Sequence, residues 1–272
     1  VDGHAIDRHG PPGGAEAAAR HGPADRIPPE AIGIQLYTVR TALAADPEGT
    51  LAALAAIGYR RVETAGTHGR TAADFRAALD RHGLRAASGH VRADGDWSRA
   101  VEEACALGHR FMVVPWASHD TADAWRRLAD ELNTAGELAA ASGLRLGYHN
   151  HAHEFRPLPT GETPWDILLA RTDPRLVHFE LDLYWAVAGG RDPAALIRAH
   201  PGRIPQYHVK DRAADGSFAD PGAGTIDFPR IFAHSPAAGA VEYIVEHDRP
   251  DAPLRAARAG YAYLRALRIP RR

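Results

Sequence analysis

Three short stretches decide the reading of this chain: LRLGYHNH at residues 144–151, LVHFELDLYW at 176–185 and IPQYHVK at 204–210. Each is a short run of apolar and aromatic residues of strand length, and each ends on polar, chemistry-bearing side chains. Five more runs of the same kind lie outside them: IGIQLY (32–37), RRVETA (60–65), LRAASGHV (84–91), RFMVVPW (110–116) and AVEYIVEH (240–247). Between them run helical patterns such as PEGTLAALAAIG (47–58), TAADFRAALDRHG (71–83) and TADAWRRLADELNTAGELAAASG (121–143), several of which stop at Gly. Strands alternating with helices imply parallel strands joined by helical crossovers. Eight such units in one chain of 272 residues predict a single α/β domain, a (β/α)8 TIM barrel over residues 30–272. A doubly wound open sheet is the alternative, but it would more often have fewer strands. No Gly-rich dinucleotide fingerprint follows the first strand, and no P-loop is present.

Residues 1–29 read differently. They are rich in Gly, Pro, Ala and His without apolar periodicity, which predicts a flexible N-terminal leader or linker. The chain opens with Val rather than Met, which fits a trimmed or processed precursor. A cytoplasmic location and export with a signal removed both stay open. The formal net charge of −2 gives no broad attraction for nucleic acid or an anionic membrane. No apolar run approaches the ~20 residues a membrane span needs. Cys105 is the only cysteine, so no internal disulfide forms, and it reads as a small buried helix residue.

In a (β/α)8 barrel the active site lies at the C-terminal strand ends. There the sequence offers Gln35, Tyr37, Glu63, His90, Trp116, His149, His151, Asp182, His208, Lys210 and Glu246. Side chains two residues apart share a face, so His149 pairs with His151, His208 with Lys210, and Glu180 with Asp182. Isolated charge inside a barrel is costly. Such residues need each other or a metal ion. Carboxylates with an imidazole favour one divalent ion, Mn2+, Mg2+, Co2+ or Zn2+, over a Cys-type structural zinc.

The segments IGIQLYTVR (32–40), GYRRVETAG (58–66), GYHNHAHEF (147–155), ELDLYWAVAGG (180–190), YHVKDR (207–212), GAGTIDF (222–228) and VEHD (245–248) together resemble the xylose isomerase-like TIM barrel superfamily. That group contains sugar epimerases, inosose dehydratase and isomerase, hydroxypyruvate isomerase and endonuclease IV. The resemblance is greatest to the sugar phosphate isomerase/epimerase branch, a label that does not establish a phosphorylated substrate. It implies an acid after strand five, then Asp182, His208 and Glu246 as ligands of one metal ion. Strand five carries His149 where sugar epimerases have Glu. The fourth ligand is then Glu154, the favoured assignment, or His149 or His151.

The implied enzyme is a metal-dependent sugar isomerase or epimerase that abstracts a proton beside a carbonyl of a sugar, keto-sugar or inosose. A dehydratase or lyase acting on a 3-keto-sugar or inosose at the same site is the alternative. His149 or His151, with Glu246, would move the proton, and Lys210 would steady developing oxyanion charge. Gln35, Tyr37, Glu63, His90, Trp116 and Trp185 are assigned to substrate binding. The aromatics serve equally well in packing. The long Gly/Asp-rich stretch DRAADGSFADPGAGTIDF (211–228) reads as a wall or lid over the mouth. The expected partner is a small sugar or polyol, with no nucleic acid and no membrane, and a homo-oligomer left open. A nuclease would need a basic DNA-binding stripe, which is missing. An amidohydrolase would carry its H-x-H pair on strand one. A non-catalytic sugar-binding barrel would need no metal.

Overall fold

The computed structural model describes residues 25–93 and 95–270. Eight parallel strands close into one barrel. They are β1 (Ile32–Gln35), β2 (Arg61–Ala65), β3 (Arg85–His90), β4 (Phe111–Val114), β5 (Arg145–His149), β6 (Val177–Asp182), β7 (Gln206–Val209) and β8 (Glu242–Val245). Neighbours in sequence are neighbours in the sheet, and β8 returns to β1 through Ile34↔Val245. Helices pack outside. All eight expected strands are present, each shorter than its apolar run. The runs overshoot because strand ends turn at once into loops or helices. Tyr37 lies in a 3-10 turn (Leu36–Val39), and Trp185 lies in the helix Leu183–Ala188.

The helix starts follow from local chemistry. Asp46, Thr71, Thr121 and Thr163 each accept a backbone N–H from the first turn of the helix they precede. Pro47 and Pro164 stand at first helical positions, where a missing N–H does no harm. The main apolar core lies between strands and helices, around the fully buried Trp125, Trp165, Tyr59 and Tyr148. No helix among the described residues is long and apolar enough to cross a membrane.

Two expectations change. Most of the leader, residues 1–24, lies outside the described residues. Asp25, however, pairs with Ile269 through two backbone hydrogen bonds of 3.0 and 2.9 Å, and Ile27 is buried. One bridge and one apolar side chain thus tie the last residues of the expected leader, from Asp25, to the barrel. Cys105 is exposed, not buried. In the helix Trp97–Leu107 the buried stripe runs through Trp97, Val101, Ala104 and Leu107, and Cys105 falls just off it.

The barrel interior is polar where such barrels usually hold branched apolar residues. His178 projects inward from β6 and fills the space opposite Gly147 on β5. A Cβ at residue 147 would collide with the His178 ring. Gly147→Ala is expected to destabilise the fold by about 1–3 kcal/mol through overpacking. The denaturant midpoint would fall with an unchanged slope.

Candidate active site

Polar side chains stack inside the barrel in layers set by the two-residue period of the strands. The lowest layer is a chain of hydrogen bonds. Arg61 pairs with Glu242 at 2.9 Å, Gln206 donates to Glu242 at 2.8 Å, and His178 Nε2 lies 2.8 Å from Gln206 Oε1.

The middle layer centres on Glu63. A bulge after Val62 shifts the register so that Glu63 faces Ser88, whose hydroxyl donates to it. Gln35 Nε2 donates to Glu63 at 2.7 Å, and His208 Nε2 lies at 2.7 Å. His90 Nε2 sits between Glu63 at 3.1 Å and Glu180 at 3.3 Å. Glu180 also faces His208 at 3.1 Å and His149 Nδ1 at 3.2 Å. Burial would raise the Glu63 carboxyl, but His90 and His208 outweigh it and hold the carboxyl well below its usual range. Burial, then the Glu63 charge, pushes Glu180 up. Burial opposes protonation of His90, yet Glu63 and Glu180 bring its pKa up to about 9.

The top layer is buried at the strand ends. His208 Nδ1 lies 2.7 Å from Glu246 Oε2 and 4.0 Å from Asp182 Oδ2. The Lys210 ammonium sits among three carboxylates: Asp182 at 2.9 Å, Glu246 at 2.8 Å and Asp248 at 2.8 Å. Asp182 caps the following helix, accepting Trp185 N–H at 2.8 Å through Oδ1. That turns its other oxygen into the site. Burial raises the Asp182 pKa to about 6, against the pull of Lys210 and His208. Burial, reinforced by His208 and other nearby positive charge, holds His149 well below its ordinary value and therefore neutral. His151 is brought down to about 3 by burial and Lys210.

These residues fit a divalent cation. Ligand atoms of Asp182, His208 and Glu246 lie within 4.8 Å of one another, and so do those of His90, His149, Glu180 and His208. Buried polar atoms without a hydrogen-bond partner are rare. Five belong to residues of this site: His149 Nδ1, Glu180 Oε1 and Asp182 Oδ2 in the cluster, and His151 Nδ1 and Trp185 Nε1 beside it. Asp182 Oδ2 touches the Lys210 ammonium without a well-directed hydrogen bond. His208 offers Nδ1 to the ligand side while Glu63 braces Nε2, the arrangement that orients metal-ligating histidines.

A cavity of about 950 Å3 opens above this layer. Of the expected site residues, Tyr37, His90, Trp116, His149, His151, Trp185, Lys210 and Glu246 line it. The buried Gln35, Glu63, Glu154, Asp182 and His208 do not. Glu154 is not brought to the metal-type cluster. It lies in the 3-10 turn His153–Phe155 and accepts from Tyr148 OH and His151 N–H, both at 2.8 Å. Tyr148 neighbours His149 on the strand and so points to the helix side, which carries Glu154 away from the mouth. The nearer strand-five donor is His149, whose Nε2 is 3.9 Å from Asp182. Gln35 and Glu63 do not line the cavity. Both are buried beneath its floor, where Gln35 also caps the turn at Tyr37 N.

Sequence reasoning passed over Asp248, although VEHD was in view. The signal was its two-residue spacing from Glu246. It also passed over Ser88 and the lower layer, which the same parity rule reaches from Glu63, His208 and Asp182. The stretch 211–228 does form a wall. Asp211 holds it, accepting the N–H groups of Arg212, Gly222, Gly224 and Ile226 at 2.8–3.2 Å. Phe218 projects from it into the cavity beside Tyr184 and Trp185.

A closed eight-strand barrel with a carboxylate–imidazole cluster at its strand ends defines a class, and the comparisons place the chain in it. A family model described as Xylose isomerase-like TIM barrel matches residues 51–267, and the chain belongs to that family. Inosose dehydratase of Geobacillus kaustophilus (strain HTA426) is 28% identical over 229 residues, covering 67% of this chain and 73% of that enzyme. Inosose dehydratase of Clostridium beijerinckii (strain ATCC 51743 / NCIMB 8052) is 35% identical over 129 residues, covering 40% of this chain. The match spans only 41% of that enzyme's length. The crystal structure of a sugar phosphate isomerase/epimerase from Parabacteroides distasonis ATCC 8503 superposes with a TM-score of 0.80 at 28% identity. It covers 91% of this chain and 98% of that one.

Glu63 joins four partners in a buried layer. Glu63→Ala leaves His208, Gln35 and Ser88 without their acceptor. It is expected to cost about 3–5 kcal/mol of folding stability, read from chemical denaturation.

Proposed function

We propose that the chain is a divalent-metal-dependent enzyme that removes a proton beside a carbonyl of a sugar, keto-sugar or inosose. One observation carries this reading. Asp182, His208 and Glu246, from three successive strand ends, converge with His149, and of these His149 and Glu246 line a cavity large enough for a sugar while Asp182 and His208 lie fully buried behind them.

Asp182, His208, Glu246 and His149 would hold the ion, with Glu63 bracing His208 from below. Bound there, a divalent ion acts as a Lewis acid that acidifies the C–H beside a substrate carbonyl. The chain supplies the rest. His151 faces the cavity as a neutral imidazole with an open face for a proton, although burial and Lys210 weaken its basicity in the free site. Glu246 lines the cavity as a carboxylate, held well below its usual range by Lys210 and His208 despite burial. Lys210 Nζ, fixed by three carboxylates and lying 5.5 Å from the centre of the Trp185 ring, meets negative charge on the substrate oxygen. Phe218, Trp185 and Tyr184 keep that corner dry.

Return of the proton to the opposite face gives an epimer, and return to the neighbouring carbon gives an isomer. Loss of a β-oxygen gives a dehydratase. The two inosose dehydratase relatives support this last outcome as the second reading.

Metal analysis of the purified protein should find about one divalent ion per chain, bound through the carboxylate and imidazole donors named above. Asp182→Ala is expected to abolish this binding. A metal-free wild type with full sugar binding would instead point to a non-catalytic barrel. Solvent deuterium should enter a ketose, a keto-glycoside or an inosose when Mn2+ or Co2+ is added. Water loss, followed by the absorbance of an unsaturated ketone, would mark the dehydratase. His151→Gln is expected to slow exchange about 100-fold or more while metal affinity is retained. An unchanged exchange rate would remove His151 from the proton path.

A further inference from the structure

Two aromatic side chains stand in solvent at the mouth. Trp116 is 54% exposed and Tyr37 is 42% exposed, and both line the same cavity. Exposed large aromatics are normal when scattered, but these two share one concave site. Both are braced. The Trp116 ring packs on His153 at 4.4 Å and on the edge of His151 at 4.8 Å, and His153 Nε2 is anchored 2.8 Å from the Ala117 carbonyl. The Arg40 guanidinium lies 3.9 Å from the centre of the Tyr37 ring and donates to the Tyr37 carbonyl at 2.7 Å. Each ring is thus held from within the protein while much of its surface stays open.

Two imidazoles, His149 and His151, stand between the Trp116 ring and the His208 ring. Ring centroids step from His208 to His149 (4.6 Å), from His149 to His151 (4.9 Å) and from His151 to Trp116 (4.8 Å). A six-membered sugar ring is comparable in width to one such step. A single sugar held by Lys210, Glu246 and His151 occupies the inner part of the cavity, and the open face of Trp116 lies on the far side of His151. Volume leads to the same point. At about 30 Å3 for each water, a cavity of about 950 Å3 holds roughly 30 waters. A six-carbon sugar has about 12 non-hydrogen atoms, none larger than a water, so it fills well under half of that space.

We propose that the substrate is a sugar carrying a second, flat-faced ring, with the sugar to be transformed at the Lys210–Glu246 corner and the second ring stacked on Trp116. The second ring is a further pyranose or an aromatic aglycone, since either offers a face to an indole. This rests on the proton-abstraction reading for what happens to the first ring, but not for the stacking.

Titration calorimetry with unreactive methyl glucoside, phenyl glucoside and cellobiose tests the stacking without any reaction. Phenyl glucoside or cellobiose should bind the wild type about tenfold more tightly than methyl glucoside. The gap should close in Trp116→Ala and survive in Trp116→Phe. Which of the two ligands shows the larger gap identifies the second ring. Equal affinities, no detectable binding of the two-ring ligands, or a gap that survives Trp116→Ala would overturn the proposal. Deuterium exchange into a one-ring keto-sugar reads the chemistry separately. Exchange without an affinity gap rejects the second-ring site alone, and a gap without exchange into any substrate rejects the proton chemistry alone.

Discussion

The His208 imidazole lies between two carboxylates, 2.7 Å from Glu63 on one side and 2.7 Å from Glu246 on the other. Much of the barrel follows from that contact. Burial alone would strip the ring of its proton, yet Glu180, Glu246 and Glu63 together push its pKa well above the ordinary value. Each carboxylate is in turn tolerable inside the protein only because a cation or a donor faces it. No member of this column can be removed without stranding another. Gln35, Ser88 and His90 belong to it for the same reason. A barrel filled this way gains little hydrophobic stabilisation from its interior. The apolar work falls to the outer layer, where Trp125, Trp165, Tyr59 and Phe179 are fully buried between strands and helices.

The column also changes along its length. At the bottom, Arg61, Glu242, Gln206 and His178 form a chain of hydrogen bonds that leaves only His178 Nδ1 of that layer without a partner. At the top, atoms of His149, Glu180 and Asp182 lack a directed partner, and the cavity begins just above. A satisfied layer specifies structure, and an unsatisfied one invites a ligand. Asp182 shows how one residue joins the two roles. Its Oδ1 starts a helix, and that bond fixes the rotamer that sends Oδ2 into the cluster.

Period and parity carried most of this in the sequence. Eight apolar runs with helical spacers specify the barrel, and the two-residue rule brings His208 with Lys210 and Glu180 with Asp182 to one face. What parity cannot give is depth. Gln35 and Glu63 have the right face, but they sit one layer too low to meet a ligand. Glu154 lies away from the cluster for a different reason. Loop residues follow no period, and its carboxylate is captured by the nearby Tyr148 hydroxyl and His151 N–H. Asp25 and Ile27 escaped notice because a single bridge and one buried side chain leave no pattern in a Gly/Pro-rich stretch.

The stretch His208–Asp211 shows how closely fold and chemistry are joined. His208 and Lys210 face the cluster. Asp211, the next residue, faces the other way and is fully buried, where it gathers the backbone N–H groups of the following loop. Four charge-assisted bonds to one carboxylate hold that loop far more firmly than its Gly-rich composition would allow. The loop in turn delivers Phe218 to the cavity, 5.8 Å from the Lys210 ammonium. Exclusion of water around that ammonium, and hence the strength of its field on a bound sugar, is therefore set by the residue beside it in the chain.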